Sequence, residues 1–383
     1  MRKNPPDYIL IWIVTLLILF GILILSSASF TTSQKSSGNT FYFLTHQIAF
    51  GFIPGIILGF IFFKISLISL KKFSFILLIV NLVLMGLVFV PKIGLTIKGA
   101  SRWISLGPVV FQPSEFLKIT FILYLASWLS NRSQLLKGKF FLKKKIVALH
   151  RSGHQPSNKT LIAFLIIIGL IASFLIFQPD ISTLGIITIT SLIMYFLAGG
   201  PFWHIIIMIL IGLSSLFALI KFAPYRMARF LVFLQPEISP LGIGYHLQQA
   251  LIATGSGGLT GVGLGLSRQR FGFLPSVMSD SIFAVLAEET GFIGAFILIM
   301  LFLLFLIRGF KISKNTSDLF LQLVGFGITS WIVIQAFVNI GAMIGVLPLT
   351  GIPLPFISYG GSAIVVELIG VGILLNISKY SKI

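Results

Sequence analysis

The 383-residue chain has no cysteine, which excludes disulfides, thiolate nucleophiles and Cys-ligated metals. It holds nine Asp and Glu residues, so every candidate for acid–base chemistry can be weighed individually. Its histidines, His46, His150, His154, His204 and His246, are scattered without metal-binding spacing. Charged side chains make up 10% of the chain, against roughly a quarter in soluble domains. There is no internal repeat of fixed period, and the G-x-G-x-x-G spacing of a dinucleotide site never occurs.

What is abundant is apolar surface: 56% of residues are hydrophobic and the mean hydropathy is +1.05. A soluble core cannot hide that much, so the solvent is lipid. Apolar runs of the length a bilayer requires fall at 8–28, 43–64, 73–91, 113–130, 160–178, 182–199, 201–221, 282–307, 319–347 and 358–378. The expectation is an all-α polytopic membrane protein with about ten transmembrane helices, a single domain over 1–383. Pro179 breaks the chain between two of these runs, giving a tight helical hairpin. Arg2-Lys3, an apolar stretch and Ser26-Ser27-Ala28-Ser29 resemble a signal peptide, but the apolar region is too long and nine runs follow. A retained anchor is expected.

Ten spans place both termini on one side. Most of the 28 Lys and Arg residues fall in loops on that side, which the positive-inside rule makes cytoplasmic. The cluster Lys143-Lys144-Lys145 there is suited to anionic headgroups. The net charge of +19 is therefore topological, and no nucleic-acid partner is expected. The opposite, extracytoplasmic side carries three informative loops: 92–112, the long segment 222–281, and the stretch from Pro348 to Ser358. Long irregular loops commonly carry function. Glycines 255, 257, 258, 261, 263 and 265 in the long segment fit either tight backbone turns or close approach to a pyrophosphate.

Among the acids, Asp7 and Asp318 stand at cytoplasmic helix ends as solvated charges, and Glu237 is compatible with plain surface. Glu115, Asp180, Asp280, Glu288, Glu289 and Glu367 lie in or beside apolar spans, where a carboxylate is costly and a functional candidate. Lys118 follows Glu115 at i+3, which fits an internal ion pair or a binding role. Asp180 fits a helix cap or catalysis. Asp280 ends the long loop where the eighth span begins, a place for a helix cap or for a general base. Glu288 and Glu289 fit anchors for buried basic or hydroxyl groups. Arg102, Arg226 and Arg229 suit bidentate phosphate contacts or snorkelling to headgroups.

Several motifs in one order carry a resemblance. They are Gly99-Ala100-Ser101-Arg102-Trp103-Ile104, Phe111-Gln112-Pro113-Ser114-Glu115-Phe116-Leu117-Lys118 and Gln178-Pro179-Asp180. They continue with the glycine-rich stretch and Leu274-Pro275, Asp280-Ser281-Ile282-Phe283, Glu288-Glu289, and the run from Pro353 through Ser358-Tyr359-Gly360-Gly361-Ser362. From first helix to last, the chain resembles the SEDS family (shape, elongation, division and sporulation proteins). The Gly263-Leu264-Gly265-x-Ser267-x-Gln269 run is more similar to the division type, FtsW, than to the elongation type, RodA.

The resemblance implies a ten-helix bacterial plasma-membrane enzyme that polymerises lipid II on the outer face. It also implies a class B penicillin-binding protein and other divisome membrane proteins as partners. The family's catalytic aspartate falls on Asp280, which would take the proton of the acceptor's GlcNAc 4-hydroxyl as it attacks the donor's MurNAc in an inverting transfer. Cationic groups or a divalent cation would offset the charge of the departing undecaprenyl pyrophosphate. Arg102 and Lys118 match motif positions for that task, with Arg226 and Arg229 behind them, and Glu115 would orient Lys118 or substrate. Gln112, Asp180, Ser358 and Tyr359 complete the expected substrate-binding set. The family's Leu-Pro-Glu-x-His-Thr-Asp is here Leu274-Pro275-Ser276-Val277-Met278-Ser279-Asp280, without the acid and the His. A lipid II flippase, using the deep Glu288, Glu289 and Glu367, and a scaffold without chemistry are the competing readings.

Overall fold

The computed structural model describes residues 4–382 apart from 98, 108, 138–157, 222–223 and 236–241. Glu237, His150, His154 and the Lys143–Lys145 cluster lie outside the described residues. Among the described residues, eight helices are long and apolar enough to cross a membrane. They are α1 (Tyr8–Ser37), α2 (Tyr42–Lys64), α3 (Leu67–Leu87), α5 (Asn158–Phe177), α7 (Phe202–Lys221), α10 (Ile282–Lys314), α11 (Leu319–Met343) and α12 (Gly361–Ser378). The shorter apolar α6 (Ile181–Leu197) and α4 (Pro113–Lys137), with Glu115 and Lys118 in its first turns, join them. Each of the ten expected runs falls on one of these helices.

Helices α11 and α12 are mostly buried and form the centre, whereas α7 shows nearly all of its surface outward. Helix α2 reaches α12 through a stripe of small residues, Gly51, Gly55 and Gly59. A Cβ at Gly59 would stand 2.7 Å from the Leu368 carbonyl oxygen, and one at Gly372 only 2.1 Å from the Gly59 carbonyl oxygen. Small residues let helix backbones approach where lipid offers no hydrophobic drive for association.

Two connections hold more structure than a loop. Residues 92–112 form an antiparallel sheet of β1 (Gly94–Ile97), β2 (Ala100–Leu106) and β3 (Val109–Phe111). Gly99 and Gly107, with φ +76° and +65°, supply the left-handed turns that reverse the chain. The segment 222–281 contains α8 (Pro224–Leu234), α9 (Ile243–Ser256) and a single 3-10 turn at Gln269–Phe271.

At the end of the bundle carrying the termini, Asp7 is not the solvated charge expected from sequence. It is buried, caps α1 through Leu10 N at 2.9 Å, and pairs with Arg308 at 2.6 Å. Asp318 caps α11 by accepting from Leu321 N.

The glycine-rich stretch serves as a splint. Helix α10 breaks at Gly291, whose φ of 66° and ψ of −164° are outside the helical range. The amides of Val262 and Gly263 donate to the carbonyls of Glu288 and Glu289 at 3.0 and 3.1 Å. Phe292 N and Ile293 N donate to the carbonyls of Gly258 and Leu259 at 2.9 and 3.1 Å. Backbone groups at the break thus find partners in place of the helical ones, as a low-dielectric setting demands. Glycine permits the approach: a Cβ at Gly257 would lie 2.0 Å from the Ala287 carbonyl oxygen.

Candidate active site

The chain between α11 and α12, residues 344–360, crosses the end of the bundle opposite the termini and touches most of the elements that carry candidate residues. Two amides spaced i, i+4 on one face of α11 hold it from below. Gln335 Nε2 donates to the Pro353 carbonyl at 3.0 Å, and Asn339 Nδ2 to the Ile352 carbonyl at 2.7 Å. From the sides, Arg229 Nη1 of α8 donates to the Leu349 carbonyl at 3.2 Å and Ser182 Oγ of α6 to the Thr350 carbonyl at 2.6 Å. Gly21 of α1 leaves room for the Phe356 carbonyl, which a Cβ would meet at 2.3 Å. Glu367 Oε2 accepts from Phe356 N at 2.8 Å.

Asp280 sits against this crossing segment. It lies in the turn before α10, half-buried, and does not cap the helix; Ser281 holds the cap position. Asn339 Nδ2 donates to the Asp280 carbonyl at 2.8 Å, and Ser279 Oγ donates to its Oδ1 at 3.0 Å. Its Oδ2 accepts no hydrogen bond from the described residues and lies beside Gly351. The turn is pinned on its other flank. Ser358 Oγ donates to the Ser279 carbonyl and accepts from Leu354 N at 2.8 Å, and Tyr359 N donates to the Met278 carbonyl at 2.8 Å. Ser281 Oγ donates to the Pro275 carbonyl at 2.7 Å, so His246 Nε2, 2.6 Å away, is the donor to that hydroxyl.

Each of the other described carboxylates has at least one oxygen engaged by the protein, and Glu289 Oε2, which has no hydrogen-bond partner, is buried. Glu115 pairs with Lys118 at 2.8 Å. Asp180 caps α6 through Thr183 N and accepts from Ser114 Oγ at 2.9 Å. Glu288 accepts from Ser267 Oγ at 2.5 Å and Arg268 N at 2.9 Å. Glu289 accepts from Ser27 Oγ at 2.5 Å and faces Arg270 at 3.8 Å, as anchors of this kind were expected to do. Asp280 therefore combines partial exposure, a rigid backbone and an oxygen without a protein partner. That is the condition a general base must meet.

A family model described as Cell cycle protein, covering FtsW, RodA and SpoVE, matches residues 8–383. The chain belongs to the FtsW/RodA/SpoVE family. It is similar to Stage V sporulation protein E of Bacillus subtilis, 38% identical over 382 residues, covering 100% of this chain and 99% of the relative. It is also similar to the probable peptidoglycan glycosyltransferase FtsW of Coxiella burnetii, 36% identical, covering 97% of this chain and 96% of that one. Among solved structures it resembles a chain of a peptidoglycan synthase complex, with TM-score 0.73, 26% identity and 97% of both chains covered. Thermus thermophilus RodA superposes with TM-score 0.66 and 27% identity, covering 99% of this chain and 98% of that one.

In this member of the FtsW/RodA/SpoVE family the expected site residues other than Arg226 divide into two groups. Asp280, Ser358, Tyr359 and Arg229 gather on the crossing segment. Arg102, Gln112, Glu115, Lys118 and Asp180 form a second cluster around the α5–α6 turn. Arg102 donates from Nε to the Gln178 carbonyl at 3.0 Å and from Nη2 to the Pro179 carbonyl, tying the sheet to that turn. Gln112 bridges Ser114 Oγ at 2.9 Å and Asp180 at 3.4 Å, and its amide N donates to Ser362 Oγ at 3.0 Å. Lys118 is 1% exposed, donates to Gln335 Oε1 at 2.8 Å, and lies over the Trp331 ring. Arg226 donates to the Leu219 carbonyl at 3.2 Å.

The two clusters communicate through the crossing segment, by Lys118–Gln335–Pro353 on one side and Ser182–Thr350 on the other. Gln335, Asn339, Ser182 and His246 were not singled out from sequence, yet each holds a group that positions the carboxylate or its surroundings. Among the described residues no three His, Asp or Glu side chains converge.

Proposed function

We propose that the chain is a peptidoglycan glycosyltransferase that polymerises lipid II on the outer face of the bacterial plasma membrane. The supporting observation is Asp280 itself, partly exposed against the crossing segment, with an Oδ2 that accepts no hydrogen bond from the described residues. The positive-inside bias of the sequence favours an orientation with the termini in the cytoplasm and the crossing segment outside.

In the proposed reaction Asp280 accepts the proton of the acceptor's GlcNAc 4-hydroxyl. That oxygen bonds to the anomeric carbon of the donor's MurNAc, and the bond from this carbon to the pyrophosphate breaks with inversion. Undecaprenyl pyrophosphate leaves. Arg229, which donates to the Leu349 carbonyl of the crossing segment, would meet its charge, with Arg226 on the same helix and Arg102 behind it, while Lys118 is buried in an ion pair. The similarity to FtsW proteins and to a peptidoglycan synthase complex supports a class B penicillin-binding protein as partner, and a role in division with other divisome proteins. The flippase reading finds less support, because Glu288, Glu289 and Glu367 are each held by the protein.

Purified protein, alone and with its transpeptidase, is given labelled lipid II. Asp280→Asn keeps the size and most hydrogen bonding of the side chain but removes the base. Polymer formation is expected to fall by about 10²–10⁴-fold. Undiminished polymerisation by that variant would overturn the assignment, and lipid flipping without polymer would favour a transporter.

A further inference from the structure

A cavity with basic and aromatic walls lies toward the end of the bundle that carries the termini. It is a groove of about 470 Å³ between α3 and α4, lined by Lys71, Lys72, Tyr124, Ser127, Trp128 and Asn131. Ile68 and Phe75, both outward-facing, form its apolar mouth. Lys71 and Lys72 take part in none of the ion pairs among the described residues. Their ammonium groups instead approach aromatic rings, Lys71 that of Phe320 at 5.6 Å and Lys72 that of Phe73 at 5.8 Å.

The protein has little to neutralise them with. Two acids belong to this end: Asp7, paired with Arg308, and Asp318, capping α11. The stretch 132–159 contains eight Lys and Arg residues by sequence, from Arg132 to Lys159, and no Asp or Glu. A concave site with two ammonium groups, an amide and a phenol, an aromatic wall and an apolar mouth facing the bilayer has the chemistry of a lipid headgroup site with room for an acyl chain.

We infer that this groove binds an anionic glycerophospholipid: its phosphodiester meets Lys71 and Lys72 while its acyl chains leave past Ile68 and Phe75. A zwitterionic lipid presents a cation beside its phosphate and is disfavoured there. A free phosphate gains nothing from the apolar mouth. This site is separate from the Asp280 region and does not depend on the activity proposed for it.

The test measures retention of phosphatidylglycerol over phosphatidylcholine by native mass spectrometry of the protein released from mixed nanodiscs. Lys71→Gln/Lys72→Gln is expected to lose that preference by on the order of tenfold. Lys71→Arg/Lys72→Arg is expected to keep it, and Lys311→Gln/Lys314→Gln, neutralising charge elsewhere at the same end, to leave it unchanged. On the unaltered chain, brominated phosphatidylglycerol is expected to quench a tryptophan signal that Trp128→Phe removes, with weaker quenching by brominated phosphatidylcholine. This second measurement stands even if the Gln pair fails to fold. Equal retention by the Gln pair and the wild type, an equal loss in the Lys311/Lys314 control, or equal quenching by both lipids would overturn the site. Displacement of the retained lipid by inorganic phosphate would do the same, marking a soluble anion as the occupant.

Discussion

One side-chain nitrogen, Nδ2 of Asn339, donates to the Asp280 carbonyl at 2.8 Å and to the Ile352 carbonyl at 2.7 Å. The proposed base and the segment crossing in front of it are thus fastened to a single point on the central helix α11. Asn339→Leu leaves two carbonyls without that donor, at about 1–3 kcal/mol for an unsatisfied buried group. It also frees the turn bearing Asp280, and small misplacements of a reacting group cost on the order of 10²-fold in rate. The expected outcome is a folded protein, melting a few degrees lower in detergent, whose kcat falls far more than its KM rises. A purely structural role would lower the yield of folded protein and leave the kcat of what folds unchanged.

Lys118 and Glu115 give the second prediction. Removing one partner of a buried pair strands the other, at about 3–5 kcal/mol. Lys118→Met is therefore expected to be poorly stable, and Lys118→Met/Glu115→Gln to recover most of that loss in thermal unfolding. If the pair is structural, lipid II polymerisation recovers with stability. If Lys118 contacts pyrophosphate, the double variant stays stable and inactive.

These two cases mark what could be seen in the sequence and what could not. The spans were legible because bilayer thickness imposes a length and hydropathy that few other structures need. The Glu115–Lys118 pair was legible from its i, i+3 spacing, and the anchoring of Glu288 and Glu289 from the cost of a carboxylate in an apolar helix. Asn339 and Gln335 carry no charge, and their partners are set by contacts across the fold, 59 residues away in the case of Asp280. Two amides four apart in the second half of a largely apolar span were the available signal, since buried amides need partners. The tie from Arg102 to the α5–α6 turn was not legible, because nothing local reveals that the carbonyl it meets lies 76 residues downstream. The small sheet was hidden by its brevity, although Gly99 and Gly107 stood at its turns.

The glycine run offers a third test. A Cβ at Gly261 would lie 2.1 Å from the Glu289 carbonyl oxygen, at a φ of +82°. Gly265 has a similar φ of +79° but open space around it. Gly265→Ala is expected to cost about 1–2 kcal/mol, the strain of a left-handed alanine. Gly261→Ala adds a backbone collision at the splint of α10, and is expected to cost clearly more than that. Thermal unfolding of the two variants side by side measures the difference. Were the run a phosphate cradle with no role in packing, the two would lose equal stability.

His246 supplies the last prediction. Its Nε2 donates to Ser281 Oγ, whose own proton goes to the Pro275 carbonyl, so the imidazole closes a chain that fixes both ends of the turn carrying Asp280. A positioning residue that works by donating one hydrogen bond can be replaced by another donor of similar reach. His246→Gln is expected to keep most of the polymerisation rate, because its amide can reach Ser281. His246→Leu fills the space without donating, and is expected to lower kcat by about tenfold, the equivalent of one hydrogen bond of roughly 1.4 kcal/mol, with KM nearly unchanged. If His246 itself moved protons in the reaction, Gln would fail as badly as Leu, and the rate of the wild type would follow an imidazole titration that neither variant retains.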